Sequence, residues 1–149
     1  MKESVSVRGA IYRYRKDGTP EFLIMRRSLE SDNNKGLWQL PGGKLEGSES
    51  RERAYVREMK EEVGRHYVNR FKRGRIYLGT VSYLHEEGTK TFIHHGFMQQ
   101  AQPHGVRLKR SSEHMGHVWV SYSELKQYAF VRGNAELIRR AHEHLVQPP

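Results

Sequence analysis

The segment between Gly43 and Gly64 places the strictest constraint on the fold, because its residues strongly favour one regular structure. Positions 49 to about 63 contain no glycine or proline, and most of them are strong helix formers. Ser48 precedes this run as a predicted N-cap, and Gly64 follows where a left-handed residue commonly ends a helix. The segment therefore predicts a helix with one buried face, formed by Tyr55, Val56, Met59 and Val63.

Runs of β-branched and aromatic residues predict strands on both sides of this helix. The predicted strands are 5–14, 21–27, 37–40, 75–84, 91–99 and 117–120. Asp17-Gly18 and Glu87-Gly88 are turn signals inside two hairpin-like pairs. The Pro-Gly-Gly sequence at 41–43 is expected to break any regular structure.

The last third of the chain predicts two more helices. Ser121 followed by Glu124 matches a capping box for a short helix that ends near Tyr128. The final helix is predicted at about 134–146, and the polar residues 100–112 predict a loop. Because strands and helices are interspersed and the strand pairs resemble hairpins, we expect an α/β sandwich with a mixed β-sheet.

Length and composition favour a single domain spanning residues 1–149, since no linker or repeat divides the 149 residues. No apolar run approaches the ~20 residues that span a bilayer, and no apolar segment typical of a secretory signal follows the N-terminus. Cysteine is absent, which excludes disulfides, thiolate zinc sites and a cysteine nucleophile and fits a reducing compartment. We therefore expect a soluble cytoplasmic protein without a membrane partner, either a monomer or a homodimer.

The charge balance favours anionic partners. Lysine and arginine number 26 against 17 acidic residues, which gives a net charge of +9 with histidine neutral. Such a field attracts nucleotides, nucleic acid or a phospholipid surface. The bases are spread along the chain, so an ordinary solvated surface is an equally good interpretation of the charge alone.

Three acids of the predicted helix carry the first chemical signal. Glu58, Glu61 and Glu62 stand at i, i+3 and i+4, so a helix places them along one face. Adjacent carboxylates repel one another, and a hard divalent cation such as Mg²⁺ or Mn²⁺ offsets that repulsion. Taken alone, the triplet also fits a solvated acidic face. Arg57 and Glu49, eight residues apart, are positioned for a salt link.

The complete pattern resembles the Nudix box, the motif that defines the Nudix hydrolase superfamily. Gly43 and Glu49 are followed by a run from Arg57 to Gly64 that contains all three acids, with Met59 as the aliphatic residue. The preceding Trp-Gln-Leu-Pro-Gly-Gly at 38–43 is similar to the approach to this box, whereas Arg65 replaces the usual aliphatic residue after it. The resemblance implies a Nudix-type α/β/α sandwich over nearly the whole chain.

The resemblance also implies roles for the residues of the box. Members of the family use Mg²⁺ or Mn²⁺ to hydrolyse a nucleoside diphosphate linked to a further group. By similarity, Glu61 and Glu62 are expected to bind metal, and Glu58 to be a ligand or the base that deprotonates water. Arg57 is expected to orient Glu58 and pair with Glu49, while a carbonyl of Gly42 or Gly43 completes the metal shell and Gly64 closes the box.

Residues outside the box supply further candidates. A further acid often precedes a strand that ends in Trp-Val in this family, and Glu113 fits that place as a ligand or base; Glu86 and Glu87 are weaker candidates. Positively charged side chains near the box could bind phosphate, and a tyrosine lies where dinucleoside-polyphosphate hydrolases carry one; these are Arg26, Arg27, Lys44 and Tyr83. His94 and His95 would point to opposite faces of a strand, so they do not form one site.

The leading functional hypothesis is a metal-dependent pyrophosphohydrolase that acts on a small nucleotide by attack of water at phosphorus. The substrate would be a nucleoside triphosphate, an oxidised nucleotide or a dinucleoside polyphosphate. A hydrolase that trims the 5′ end of RNA is the first alternative, and the net charge of +9 supports it modestly. The second is a non-catalytic nucleotide or RNA sensor of the same fold, although all three box glutamates are present.

Overall fold

The computed structural model describes residues 2–30, 34–64, 74–85, 87–101 and 114–146. Within these ranges a sheet is flanked by two α-helices, and one 3₁₀ helix follows the last strand. The elements are β1 (Lys2–Tyr14), β2 (Pro20–Arg27), β3 (Trp38–Gln39), β4 (Gly42–Lys44), α1 (Arg51–Glu62), β5 (Ile76–Leu84), β6 (Lys90–Gln100), β7 (His114–Ser121), the 3₁₀ helix (Tyr122–Gln127) and α2 (Asn134–Val146).

The sheet is mixed, as the sequence predicts. The described strands run in the order β3-β2-β1-β6-β5, with β4 added to β1 and β7 added to β2. Strand β1 lies at the centre: it is parallel to β6 over eleven residue pairs and antiparallel to β2 and β4. Strands β5 and β6 form the second predicted hairpin-like pair.

The two helices cover opposite faces of the sheet, and the period-2 alternation of β1 decides which side chains each helix contacts. Val7 and Ile11 pack with the α1 residues Tyr55 and Met59. Ala10, between them in sequence, packs instead with residues of α2. The residues buried beneath α2 include Phe22, Ile24, Met98, Leu137, Ile138 and Ala141. These contacts confirm the predicted α/β/α sandwich.

Two local predictions around the box are wrong. Residues 42–44 form a strand rather than a break, because Gly43 pairs with Val7 and Gly42 adopts a φ of 150° that other residues rarely reach. The N-cap of α1 is Ser50 instead of Ser48, since the Ser50 side chain accepts a hydrogen bond from Arg53 N at 3.2 Å. The helix therefore begins at Arg51, after Glu49.

The C-terminal elements follow the sequence closely. The capping box of Ser121 and Glu124 is present, although the short helix it starts is 3₁₀ rather than α. Helix α2 has the predicted bounds, and Gly64 has the expected positive φ, at 118°. The predicted loop at 100–112 lies mostly outside the described residues. None of the described helices has the length and apolar character to cross a membrane.

Candidate active site

A cleft of about 880 Å³ opens on the sheet face that α2 only partly covers. Alternate residues of β1 line it, namely Ser4, Ser6 and Arg8, and the next residue on that face is the core residue Ala10. Acidic side chains lie at one end and aromatic side chains at the other. The cleft therefore has the shape and the mixed polarity of a ligand site.

The acidic end forms where α1 meets β4. Gly42 N donates a hydrogen bond to Glu62 Oε2 at 2.9 Å. A Cβ atom built on Gly43 would lie only 2.4 Å from Glu58 Oε1, so this position leaves no room for a side chain. Glu58 and Glu62 are each 8% exposed, whereas Glu61 is exposed. The glycines thus allow two buried carboxylates to approach the backbone of β4.

Arg57 links the residues on either side of this acidic end. Its guanidinium donates to both carboxylate oxygens of Glu49, at 3.0 and 2.6 Å, and to the carbonyl oxygen of Lys44 at 3.0 Å. It also donates to Glu58 Oε1 at 2.9 Å. The hydrogen bonds that Arg57 donates to Glu49 lower the pKa of Glu49 to about 2. Because Glu49 precedes α1, the predicted salt link between Glu49 and Arg57 joins the preceding loop to the helix.

The buried carboxyl of Glu58 has an unusual electrostatic environment. Burial raises its pKa, Arg57 opposes that shift, and the neighbouring Glu61 adds to it. Glu61 Oε2 lies 3.6 Å from Arg57 Nη1, so the guanidinium that binds Glu49 and Glu58 also partly neutralises Glu61. A divalent cation in this position would remove the remaining repulsion between the carboxylates.

The residues at this end fit Mg²⁺ or Mn²⁺. Glu58, Glu61, Glu62 and the carbonyl groups of Gly42 and Gly43 supply only oxygen donors, which these hard cations prefer. Within the described ranges, no three His, Asp or Glu side chains already form a metal-binding group. The contacts with Arg57 involve one oxygen of each carboxylate, Glu58 Oε1 and Glu61 Oε2.

The opposite end of the cleft is aromatic. Tyr83 and Phe92 stack with ring centroids 5.2 Å apart and planes inclined by 17°. Tyr83 also hydrogen-bonds His94 Nε2 at 3.1 Å, and Ser6 hydrogen-bonds His94 Nδ1. Burial and the nearby Arg8 lower the pKa of His94 to about 4, so its ring is neutral at pH 7. This end therefore combines a flat apolar surface with polar groups along its edge.

The two adjacent histidines lie on opposite faces of β6, in agreement with the sequence. His94 faces the cleft, whereas His95 contacts Tyr77, with 2.8 Å between the tyrosine hydroxyl and His95 Nδ1. They do not share a site.

Two polar side chains of the cleft were missed at the sequence level. Arg8 is 8% exposed, and its Nη1 donates to Leu40 O at 3.1 Å. Gln39 is buried beside His114, with 3.0 Å between Gln39 Nε2 and His114 Nε2. Arg8 Nε and Gln39 Oε1 have no hydrogen-bond partner among the described residues. The alternation of valine with Ser4, Ser6 and Arg8 along β1 is the signal that could have revealed this polar face.

The cleft brings together most of the candidates from the sequence. The candidates that line it are Arg27, Gly42, Gly43, Lys44, Arg57, Glu58, Glu61, Glu62 and Tyr83. Glu49 acts on the site through Arg57, and Gly64 ends α1 by donating to Met59 O. Arg26 instead donates to Gly36 O at 3.0 Å, and Glu87 is exposed beside the β5–β6 turn. Glu113 and Glu86 lie outside the described residues.

Comparison with known proteins agrees with this geometry. The family model of the NUDIX domain matches residues 4–141. The chain belongs to the NUDIX domain family. This result confirms the predicted Nudix hydrolase, a class of enzyme that acts on phosphorus-containing anhydrides.

Individual relatives support the same assignment. A CTP pyrophosphohydrolase of Escherichia coli K12 is 32% identical over 128 residues, which cover 83% of this chain and 82% of that protein. An 8-oxo-dGTP diphosphatase of Proteus vulgaris is 49% identical over 42 residues, covering 28% of this chain and 37% of that protein. The crystal structure of a MutT protein from Methanosarcina mazei Go1 superposes with a TM-score of 0.73 at 29% identity, covering 96% of both chains.

Proposed function

We propose that this chain hydrolyses nucleoside triphosphates, standard or oxidised, to a nucleoside monophosphate and pyrophosphate with Mg²⁺ or Mn²⁺. The observation that carries the proposal is the position of Glu58 and Glu62, buried against Gly42 and Gly43 at one end of the cleft. An acidic end suits a metal-bound polyphosphate, and the aromatic end of the same cleft suits a nucleoside.

The residues of the acidic end have two roles, metal binding and positioning of the carboxylates. Glu58, Glu61 and Glu62 would hold the cation, which when bound neutralises phosphoryl oxygens and lowers the pKa of coordinated water. Arg57 holds the Glu58 carboxylate in place. Phosphoryl transfer depends mainly on positioning and charge neutralisation, so few covalent roles fall to the protein.

The reaction itself requires a proton acceptor. A water oxygen forms a bond to one phosphorus of the anhydride, the bridging P–O bond to the next phosphate breaks, and its electron pair stays with the departing phosphate group, which gives a nucleoside monophosphate and pyrophosphate. The proton of the attacking water passes to a carboxylate. Glu58, whose pKa burial raises, and Glu113 are the two candidates for this base.

The rest of the cleft would bind the substrate. Lys44 and Arg27 line it beside the acidic end and can contact phosphate oxygens. Tyr83 and Phe92 offer a stacking surface to the base. The names of the E. coli and P. vulgaris relatives favour a nucleoside triphosphate over a dinucleoside polyphosphate as the substrate.

The test is product release from a panel of nucleotides with Mg²⁺ and then with EDTA. The panel contains CTP, GTP, 8-oxo-dGTP, 5-hydroxy-dCTP, ADP-ribose, a diadenosine polyphosphate and a 5′-triphosphorylated RNA. Release of pyrophosphate from one triphosphate class, abolished by EDTA, supports the proposal. Turnover of the RNA alone would assign the RNA 5′-end activity, and nucleotide binding without turnover would indicate a sensor.

A further inference from the structure

We propose that Arg8 positions the phosphate that joins the nucleoside to the reacting anhydride, and so acts as a binding residue between the two ends of the cleft. This inference rests on the proposed function, because it takes the acidic end as the site of reaction and the aromatic end as the nucleoside site. Arg8 belongs neither to the box nor to the sequence-derived candidates.

The sheet register places Arg8 between the two ends. On one side Arg8 pairs with Gly42 of β4, whose backbone N–H contacts Glu62. On the other side it pairs with Gly96 of β6, two residues from His94. A nucleotide that spans the cleft has its metal-bound phosphates at one end and its base at the other. The phosphate attached to the nucleoside would then meet Arg8.

The hydrogen bonds of Arg8 leave donors for such a phosphate. Its one hydrogen bond within the described residues goes from Nη1 to the carbonyl oxygen of Leu40, not to a carboxylate. In that part of the chain its Nε has no hydrogen-bond partner, although the residue is only 8% exposed. A buried N–H donor without an acceptor is costly, and the guanidinium fork matches the oxygens of a phosphate.

A second positively charged side chain makes this region more favourable for binding an anion. Burial lowers the pKa of Arg8, Glu62 and Glu58 oppose that shift, and the charge of Arg27 adds to it. Two arginines that repel each other across a cleft gain from an anion placed between them. The competing interpretation is that Arg8 serves only as a counter-charge for Glu58 and Glu62.

The experiment measures how much the phosphate group adds to binding. Dissociation constants of CMP and cytidine, and of dGMP and deoxyguanosine, are determined in EDTA by titration calorimetry or competition. The proteins are wild type, Arg8→Met, Arg8→Gln and Arg8→Lys. Arg13→Met is the matched control, because Arg13 is on the same strand but pairs with Glu21 outside the cleft.

We expect the ratio of nucleoside to nucleotide dissociation constants to fall about 10- to 100-fold in Arg8→Met, the range for a hydrogen bond to a charged group. Nucleoside affinity should stay at the wild-type value. Arg8→Lys should keep part of the wild-type preference for the nucleotide over the nucleoside, and Arg13→Met should keep all of it. The ratio should fall in Arg8→Gln as it does in Arg8→Met. Arg8→Gln therefore provides the test if Arg8→Met fails to fold.

An unchanged ratio in Arg8→Gln, with tighter Mn²⁺ binding, would overturn the inference and establish the counter-charge role. Wild-type protein that binds CMP and dGMP no better than their nucleosides would overturn it as well. Failure of the proposed function is seen separately, as wild-type protein that releases no pyrophosphate from any triphosphate.

Discussion

At the scale of single residues, the candidate site depends on Gly42 and Gly43, two glycines whose local sequence pattern predicts a break in regular structure. Gly42 has no space for a side chain, since a Cβ would lie 1.9 Å from Val7 O. A Cβ on Gly43 would lie 2.4 Å from Glu58 Oε1. The lack of side chains is therefore what lets the strand and the acids of α1 share one end of the cleft.

Gly43→Ala should displace the Glu58 carboxylate, because the new methyl group would occupy its position. A shift of about 1 Å in a catalytic group costs on the order of 10²-fold in rate, so kcat should fall ~10- to 100-fold while the protein stays folded. Steady-state kinetics and circular dichroism check this. Gly116→Ala is the control, because its Cβ meets no atom within 4 Å. Wild-type kcat in Gly43→Ala would contradict the account.

His94 should make stability sensitive to acid. Burial and Arg8 lower its pKa to about 4 from an ordinary value of 6.5, so the unfolded state binds the proton more readily. Stability should therefore decrease as pH falls from about 6.5 toward 4. In His94→Gln the loss between pH 7 and pH 5 should be smaller by ~2 kcal/mol. Urea unfolding at both pH values measures it; equal losses in the two proteins would contradict the assignment.

At the scale of elements, the position of α1 on the sheet depends on one arginine outside the hydrophobic core. The apolar stripe of α1 packs against β1, as its periodicity predicts. Arg57 then links the helix to Glu49 and to the carbonyl oxygen of Lys44, the last residue of β4. The apolar packing holds α1 against the sheet, and the contacts of Arg57 hold the acidic face of α1 at the cleft.

Glu49→Gln should release Arg57 and with it the Glu58 carboxylate. We expect kcat to fall ~10-fold or more, with little change in KM, because the substrate contacts stay in place. Steady-state kinetics of the preferred substrate measures both constants. Glu52→Gln is the matched control, since Glu52 pairs with Arg51 on the same helix but makes no contact with Arg57 in the described structure. An equal effect in both variants would show that only helix charge matters.

Most elements could be predicted from sequence because they depend on local patterns. The bounds of α2 and the capping box at Ser121 follow from such patterns. Strand β4 could not be predicted, since Pro-Gly-Gly disfavours a strand locally and only pairing with Ser6, Val7 and Arg8 stabilises it. The N-cap is Ser50 rather than Ser48, so Glu49 lies outside the helix, where its carboxylate accepts hydrogen bonds from Glu46 N and from Arg57.

At the scale of the whole molecule, the site joins residues far apart in sequence. The box could be predicted because its residues lie within one segment, and its resemblance to a family supplies their roles. The aromatic end could not, because the pairing of Tyr83 with Phe92 and of Ser6 with His94 depends on sheet register. The alternation along β1 marks the face of Arg8 as polar, but only the sheet register shows that Arg8 lies between the two ends of the cleft. The single-domain interpretation of residues 1–149 stays a prediction.

The net charge of +9 should strengthen the binding of anionic substrates at low ionic strength. Added salt screens such a field, so KM for the preferred triphosphate should rise several-fold between about 0.05 and 0.5 M NaCl, with kcat changing less. Kinetics at fixed free Mg²⁺ checks this, with uncharged cytidine as the binding control. A KM independent of salt would show that the charge is only a solvated surface. A much steeper loss for 5′-triphosphorylated RNA would favour the RNA alternative.

The most direct test of the central claim is the effect of Glu62→Gln on metal binding and turnover together. Mn²⁺ affinity and the rate of pyrophosphate release are measured on wild type, on Glu62→Gln and on the exposed control Glu143→Gln. The account predicts a folded Glu62→Gln protein with weaker Mn²⁺ binding and kcat lower by roughly 10²- to 10³-fold, and a control that matches wild type. Wild-type turnover in Glu62→Gln with Mg²⁺ present would contradict the claim that the carboxylates of α1 hold the metal.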